Sequence, residues 1–221
     1  MTFEATDRMQ NSYDQIAEQW HSQIRGQSYI DHVLRYVDLA VADLQPGARV
    51  LDLGCGTGQP VAKYLVGKGF HVTGVDQSYK MLEIAKREVP EAEFIHSDMI
   101  NVQLPTGFGA VIAWDSIFHV ERKHHSGIFH KVAKSLERGG RFLVSVGGSD
   151  PASIAEDPAA LGESGQEGFT SEMFGHTFFY SGYEPRVARG LLEAAGFEIE
   201  LWEIDDPSSR GHIAVIAKKT A

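Results

Sequence analysis

The chain has 221 residues, 43% of them hydrophobic, a formal net charge of −10 and one cysteine. So acidic a composition argues against nucleic acid or an anionic membrane as the main partner, since both select basic surfaces. Cys55 alone forms no internal disulfide and carries no zinc-site spacing, there is no signal-peptide pattern, and no apolar run approaches the ~18 residues of a membrane span, so one globular domain in the reducing cytoplasm is expected.

Residues 1–11 are polar. From Ser12 to Trp20 the spacing of Tyr13, Ile16, Ala17 and Trp20 gives one apolar helical face. From Tyr29 to Leu44, Ile30, Val33, Leu34, Val37, Val41 and Leu44 repeat at helix spacing, and Pro46-Gly47 ends the run. Residues 1–45 therefore read as a helical cap that packs on the sheet or lids its upper edge. Tyr13, Trp20, Arg25 and Tyr29 are candidates to line a ligand there, or are ordinary core and surface.

The segment Val50-Leu51-Asp52-Leu53-Gly54-Cys55-Gly56-Thr57-Gly58 is a short apolar strand breaking into alternating glycines before a helix-compatible stretch, Pro60 to Val66. Glycine serves where backbone turns with positive φ or approaches a ligand closely. A glycine loop ahead of a helix also presents free N–H groups. Phe70 to Asp76 reads as a second strand ending in an acid. Asp76 falls about 20 residues beyond the glycines, where a returning strand places a carboxylate for ribose hydroxyls. The same residue can also cap the helix that starts near Ser78.

Met81, Leu82, Ala85 and Val89 form a helical stripe stopped by Pro90. Glu93 to His96 reads as a third strand, followed by Ser97-Asp98-Met99. Gly109 to Trp114 reads as a fourth, nearly all apolar as a strand covered on both faces requires, and it runs into Asp115-Ser116-Ile117-Phe118-His119-Val120. A helix is expected from Gly127 to Leu136, closed by Gly139-Gly140, then a fifth strand from Arg141 to Val146. Repeated strand–helix alternation means a doubly wound α/β domain with a mostly parallel sheet. Its ligands bind beyond the carboxyl ends of the strands, where strand order reverses. The glycine loop, Asp76, Ser97 to Met99 and Trp114 to His119 all fall there.

Gly147 to Tyr183 breaks the alternation: rich in Gly, Ser, Pro and Glu, it still holds Phe169, Met173, Phe174, Phe178, Phe179, Tyr180 and Tyr183. A loop of this length with such aromatic content suggests a partly structured insertion, residues 148–184, over the rim. Its aromatics either wall a substrate pocket or form a small satellite core. A helix opened by Pro185 and capped by Gly196 follows. Phe197 to Ile204 and His212 to Lys218 then read as an antiparallel terminal hairpin.

These residues resemble the class I S-adenosylmethionine-dependent methyltransferases, closely over residues 45–147 and by topology in the hairpin. Leu51 to Gly58 is similar to that family's cofactor loop. Thr73-Gly74-Val75-Asp76 resembles its second motif, Ser97-Asp98-Met99 its adenine-proximal motif, and Leu136 to Gly140 its turn into strand five, with Arg138 where proline is common. The resemblance implies a Rossmann-like sheet of seven strands with the antiparallel hairpin at its end. It implies S-adenosyl-L-methionine as cofactor and S-adenosyl-L-homocysteine as product. Asp52 would orient the amino end of the cofactor. Gly54, Cys55, Gly56 and Gly58 would form the loop that admits the methionine moiety. Asp76 with Gln77 would hold the ribose, Ser97, Asp98 and Met99 the adenine, and Trp114 and Asp115 the methionine portion.

Such an enzyme must exclude water, align the acceptor and arrange its proton loss. His119, beside the expected methyl position, is the candidate base, or it packs within the rim. His176, Tyr180, Tyr183 and Glu121 are weaker candidates. Tyr13, Trp20, His119, Phe178, Tyr180 and Tyr183 form the expected substrate pocket. His124, His125 and His130 lack a matching carboxylate cluster, so no metal is assigned. The expected acceptor is a small molecule, with neither nucleic acid nor membrane as partner. A protein or RNA methyltransferase, an NAD-dependent oxidoreductase and a non-catalytic cofactor-binding protein are the alternatives.

Overall fold

The computed structural model describes residues 5–23, 26–147, 169–206 and 212–220, with residues 5–11, 169 and 206 by backbone alone. Helices α1 (Ala5–Ser22) and α2 (Gln27–Val41) lead into β1 (Arg49–Leu53), α3 (Val61–Gly67), β2 (His71–Asp76), α4 (Tyr79–Glu88) and β3 (Glu93–His96). Then come β4 (Phe108–Ala113), 3-10 turns at Ile117–His119 and Arg122–His124, α5 (His125–Ser135) and β5 (Leu136–Val146). A small hairpin, β6 (Phe169–Met173) and β7 (His176–Tyr180), precedes α6 (Pro185–Ala194), β8 (Phe197–Asp206) and β9 (His212–Lys219).

The main sheet has seven strands in the order β3-β2-β1-β4-β5-β9-β8. The first five are mutually parallel, and β9 runs antiparallel to both β5 and β8. The doubly wound sheet with its terminal hairpin is as the strand–helix alternation predicts. Successive side chains of a strand point to opposite faces. Thus Val111 and Ala113 of β4 join the core under α5 and α6, while Ala110 and Ile112 join the core under α2 and α3. All six β4 residues are buried for that reason.

Several boundaries differ from the sequence reading, three of them with a clear physical reason. Helix α2 stops at Val41 rather than Leu44, and Leu44 instead folds back to close over Gly109. Helix α5 stops at Ser135, because Leu136 is already extended at ψ 146 and pairs with Phe108. Gly139, at φ 78, therefore shapes an irregularity inside β5 and does not close a helix.

Helix α1 is held over the carboxyl end of the sheet by two devices. Asp14 Oδ1 accepts from Ser78 Oγ at 2.6 Å and from the Lys80 N–H at 3.0 Å, pinning α1 to the start of α4. Ile16 and Phe178, both fully buried, form a satellite core with Tyr13, Trp20, Met173 and Phe174, pinning α1 to the β6–β7 hairpin. The rest of the 148–184 insertion, 148–168, lies outside the described residues. Truncating a buried phenylalanine costs about 3–5 kcal/mol, and here that loss falls on one local contact. Phe178→Ala is expected to speed amide hydrogen exchange in α1 by about tenfold or more. Exchange in β1, β4 and β5 should stay unchanged.

Candidate active site

A cavity of about 360 Å³ lies at the carboxyl end of the sheet, where chain order reverses between β1 and β4. Its floor is the glycine loop. Gly54 N–H and Cys55 N–H both donate to the Val75 carbonyl, at 2.7 and 3.0 Å, and Gly56 N–H donates to Asp76 Oδ2 at 2.8 Å. Gly54 sits at φ 84, and a Cβ there would lie 2.4 Å from Ser116 Cβ. Ser116, whose hydroxyl donates to the Leu53 carbonyl at 2.9 Å, thus closes the loop from the β4 side. Gly56, at φ 52, faces open space on the cavity wall.

Asp76 is partly buried on the same wall, with Oδ1 accepting from the Ser78 N–H at 2.8 Å. Burial raises its pKa, and the N–H groups of Ser78 and Gly56 oppose that rise. A carboxylate has about four acceptor sites, so two backbone donors leave capacity for a ligand diol. The cap of α4 is Ser78, whose Oγ accepts from the Met81 N–H at 3.1 Å, and Asp76 is free of that role.

Across the cavity, Asp98 Oδ1 accepts from the N–H groups of Ile100 and Asn101, each at 2.8 Å. Burial works against its ionisation, but the hydrogen bonds from Asn101 and Ile100 outweigh it and hold its pKa below the usual value. Lys131 of α5 reaches the Met99 and Ile100 carbonyls at 3.1 and 2.5 Å, fixing this loop from below. Met99 and Ile100 thereby present an apolar edge to the cavity.

The remaining wall is aromatic. Tyr13 hydroxyl lies 2.8 Å from His119 Nε2, and His119 Nδ1 lies 2.8 Å from the Phe179 carbonyl. The carbonyl accepts only, so Nδ1 carries the proton and Nε2 accepts from the tyrosine. Burial pushes the His119 pKa down to about 4 against the Phe179 carbonyl and Asp115, which raise it. The imidazole is therefore neutral at physiological pH.

Of the residues expected to hold a ligand, Asp52, Gly54, Cys55, Gly56, Asp76, Gln77, Ser97, Asp98, Met99, Trp114 and Asp115 are brought together on this cavity. Gly58 is not on the wall. At φ 77 it turns the chain, and a Cβ there would press on Val89 at 3.1 Å. Cys55 points into the core beneath, where burial holds its thiol well above the ordinary pKa and inert. Tyr13, Trp20, Tyr29 and His119 reach the cavity. Phe178, Tyr180 and Tyr183 do not: Phe178 is consumed by the satellite core, Tyr180 stacks on Phe118, and Tyr183 meets His125 edge-on. His176 pairs across the small hairpin with Met173, and Glu121 with Lys123. Arg25 lies outside the described residues. Sequence reasoning did not single out Gln23, Met173 or Ser116 as wall residues, and it offered Phe174 only as one of the insertion's aromatics. Met173 and Phe174 lead into the hairpin turn at Gly175, and only the docking of that hairpin on α1 brings them to the cavity.

Residues 50–140 match a family model described as a methyltransferase domain. Phosphoethanolamine N-methyltransferase of Triticum aestivum is 29% identical over 165 residues, 72% of this chain and 32% of the wheat protein. The 27-O-demethylrifamycin SV methyltransferase of Amycolatopsis mediterranei is 30% identical over 108 residues, 46% of this chain and 39% of that one. The chain thus spans well under half the length of these curated relatives. Among solved structures, magnesium protoporphyrin IX methyltransferase of Synechocystis, with bound S-adenosylmethionine, superposes with a TM-score of 0.72 at 19% identity over 99% of both chains. The 1,6-didemethyltoxoflavin-N1-methyltransferase of Burkholderia thailandensis, bound to 1,6-didemethyltoxoflavin and S-adenosylhomocysteine, gives 0.70 at 19% identity, covering 99% of this chain and 90% of that one. At such identities these structures establish the likeness of fold.

Asp52 sits under the loop, 3% exposed. Burial, with Asp76 nearby, lifts its pKa from 3.8 to about 7 against a hydrogen bond from the Ala62 N–H. The folded protein prefers the protonated acid, so the contribution of Asp52 to stability is complete below its unfolded pKa and is lost as pH rises through about 7. Relative to wild type, Asp52→Asn should gain unfolding free energy between pH 4 and pH 8, by about 3–4 kcal/mol. Urea denaturation at the two pH values measures it.

Proposed function

We propose that this chain, a class I S-adenosylmethionine-dependent methyltransferase by its domain and fold, methylates a small-molecule acceptor held between α1, His119 and the β6–β7 hairpin. The observation that carries this is the shared cavity: the glycine loop and Asp76 on one side, and the Tyr13–His119 pair on the other. S-adenosylmethionine, when bound, supplies a methyl carbon made electrophilic by its sulfonium. The wall fits that cofactor. Asp76 has acceptor capacity for a ribose diol, Met99 and Ile100 offer an apolar edge to adenine, and Asp115 offers a carboxylate to an ammonium.

The chain's own task is then to exclude water and remove a proton. Trp20, Met173 and Phe174 line the cavity with apolar surface, the rings of Trp20 and Phe174 meeting edge to face. Tyr13 hydroxyl donates to the neutral Nε2 of His119, which gives a proton arriving at Tyr13 from the acceptor's hydroxyl or amine a path to the imidazole. As the acceptor loses its proton to the Tyr13 oxygen, the tyrosine proton passes to Nε2, and no phenolate accumulates. The Phe179 carbonyl orients the ring throughout and stabilises the imidazolium that forms. The names of the relatives support a small acceptor: phosphoethanolamine, a demethylrifamycin and a didemethyltoxoflavin are small molecules and not macromolecules.

Calorimetry tests the cofactor half. S-adenosylhomocysteine is expected to bind wild type and to bind Asp76→Ala about 10–100-fold more weakly, the loss of charge-assisted hydrogen bonds. NAD is expected not to bind. A panel of phenols, catechols, amines and phosphoethanolamine with labelled S-adenosylmethionine tests the acceptor half. With whichever acceptor is turned over, Tyr13→Phe and His119→Ala should lower kcat by about 10²–10⁴-fold while leaving cofactor affinity near that of wild type. A preference for NAD, or folded protein that ignores S-adenosylhomocysteine, overturns the proposal.

A further inference from the structure

The proton relay leaves one part of the cavity wall unexplained, at Asp115. This residue has φ 49, in the left-handed region that, glycine apart, asparagine and aspartate enter more readily than other residues, but still uncommonly. Backbone strain of this kind persists only where the surroundings enforce it. Here Asp115 N–H donates to Ser145 Oγ at 2.7 Å. Tyr29 hydroxyl donates to Asp115 Oδ2 at 2.6 Å, and Trp114 Nε1–H donates to the Tyr29 oxygen at 3.1 Å. The other oxygen, Oδ1, lies 2.7 Å from His212 Nε2. His212 Nδ1 lies 2.5 Å from Asp205 Oδ1, and Asp205 Oδ2 lies 3.0 Å from His32 Nε2.

A histidine whose two nitrogens both face carboxylate oxygens donates from both, and an imidazole that donates from both is an imidazolium. The groups come from four elements: Tyr29 and His32 from α2, Asp115 from the end of β4, Asp205 from β8 and His212 from β9. They run as a chain of pairs. Among the described residues no three of them form a group able to hold a metal ion. The Asp205 side chain is 3% exposed and that of His212 15%, so solvent screens this chain weakly.

We infer that His212 is a positioning residue: clamped between Asp115 and Asp205, it fixes the Asp115 carboxylate on the cavity wall and makes the terminal hairpin a working part of the methyl-donor pocket. The inference rests on the reading of the cavity as a cofactor site. It assigns a task to Asp205 and His212, which lie outside the matched domain at residues 50–140. Asp115 is held at its strained backbone by Ser145, Tyr29 and His212 together, and a ligand ammonium would meet a carboxylate that needs no reorientation.

The charged neighbours set the sign of the pH response. His212 is faced by Asp115 from β4, by Asp205 from β8 and by the rings of Trp114 and Phe118. Beyond Asp205 stand His32 and Tyr36 of α2, and Glu203 of β8 paired with Arg35. Burial lowers the His212 pKa, but hydrogen bonds to Asp115 and Asp205 outweigh it and lift it to about 9. The clamp is therefore closed below that pH and opens above it.

The test has two readouts on the full chain. Histidine NMR titration of the unliganded protein, assigned by comparison with His212→Gln, follows the clamp directly. Calorimetry with S-adenosylhomocysteine at pH 6.5 and pH 8 follows its consequence in wild type, Asp205→Asn and His212→Gln. In wild type, His212 is expected to titrate above pH 8. In Asp205→Asn it should titrate at least about one unit lower. The pH 8 to pH 6.5 affinity ratio of that variant should then fall about twofold below that of wild type. Ligand titration is common to all three proteins and cancels in the comparison. His212→Gln should bind about tenfold more weakly at both pH values. A merely structural hairpin would leave the affinity ratio of Asp205→Asn unmoved, and Asp205→Asn remains informative if His212→Gln fails to fold. A wild-type His212 that titrates near 6.5, or variants with wild-type affinity at both pH values, overturns the inference. A wild type that keeps the high titration but ignores S-adenosylhomocysteine overturns the cofactor reading and confirms the clamp alone.

Discussion

Three hydrogen bonds tie the end of β1 to the end of β2: Gly54 and Cys55 N–H to the Val75 carbonyl, and Gly56 N–H to the Asp76 carboxylate. Everything on the cavity floor follows from them. They turn the loop away from the sheet before α3 begins, leaving Gly56 open to the cavity. They hold Asp76 by one oxygen while Ser78 holds it by the other. The packing is as strict as the hydrogen bonding. A Cβ at Gly74 would lie 2.7 Å from Phe94 and 2.8 Å from the Cys55 sulfur, so strands β1, β2 and β3 approach closely only because glycine stands there. A loop bonded so completely is pre-formed, and a ligand that fits it needs little reorganisation of the protein.

The opposite wall is built differently, from elements distant in the chain. Helix α1 brings Tyr13, the turn after β4 brings His119, and the β6–β7 hairpin brings the Phe179 carbonyl. None of these is held by the sheet alone; the Asp14–Ser78 contact and the Ile16–Phe178 core hold them together. Burial has two effects here. It strips water from His119 and keeps it neutral, and it spends Phe178 on packing rather than on the cavity surface. The acceptor side thus depends on how α1 and the hairpin meet, whereas the floor depends on backbone pairing within the sheet.

Between the two lies Asp115, at the switch point of the sheet. Four segments reach it: α2 through Tyr29, β5 through Ser145, β9 through His212, and β8 through Asp205 behind the histidine. The antiparallel hairpin is usually read as the edge that completes the sheet. In this molecule the first residue of β9, His212, also stands 2.7 Å from a carboxylate of the cavity wall.

Fold and cavity floor were legible in the chain because their signals are local. Apolar runs, glycines with acids at set distances, and strand–helix alternation all act over a few to twenty residues, and backbone geometry converts them directly into strands, turns and a rim. Val50 to Gly58, Asp76 and Ser97 to Met99 therefore stand where their spacing put them. Even so, Gly58 turned out to serve the turn, and Gly139 an irregular strand, because a glycine states a permitted φ and not its use. The acceptor wall was another matter. Tyr13 and His119 are separated by 106 residues, and Asp115 and His212 by 97, yet each pair lies within 3 Å. No periodicity records such a meeting. Which aromatics face the cavity, which nitrogen of His119 bears its proton, and which carboxylates face His212 are decided by what lies beside each group after folding. Burial and hydrogen bonding at long range are properties of the tertiary structure alone.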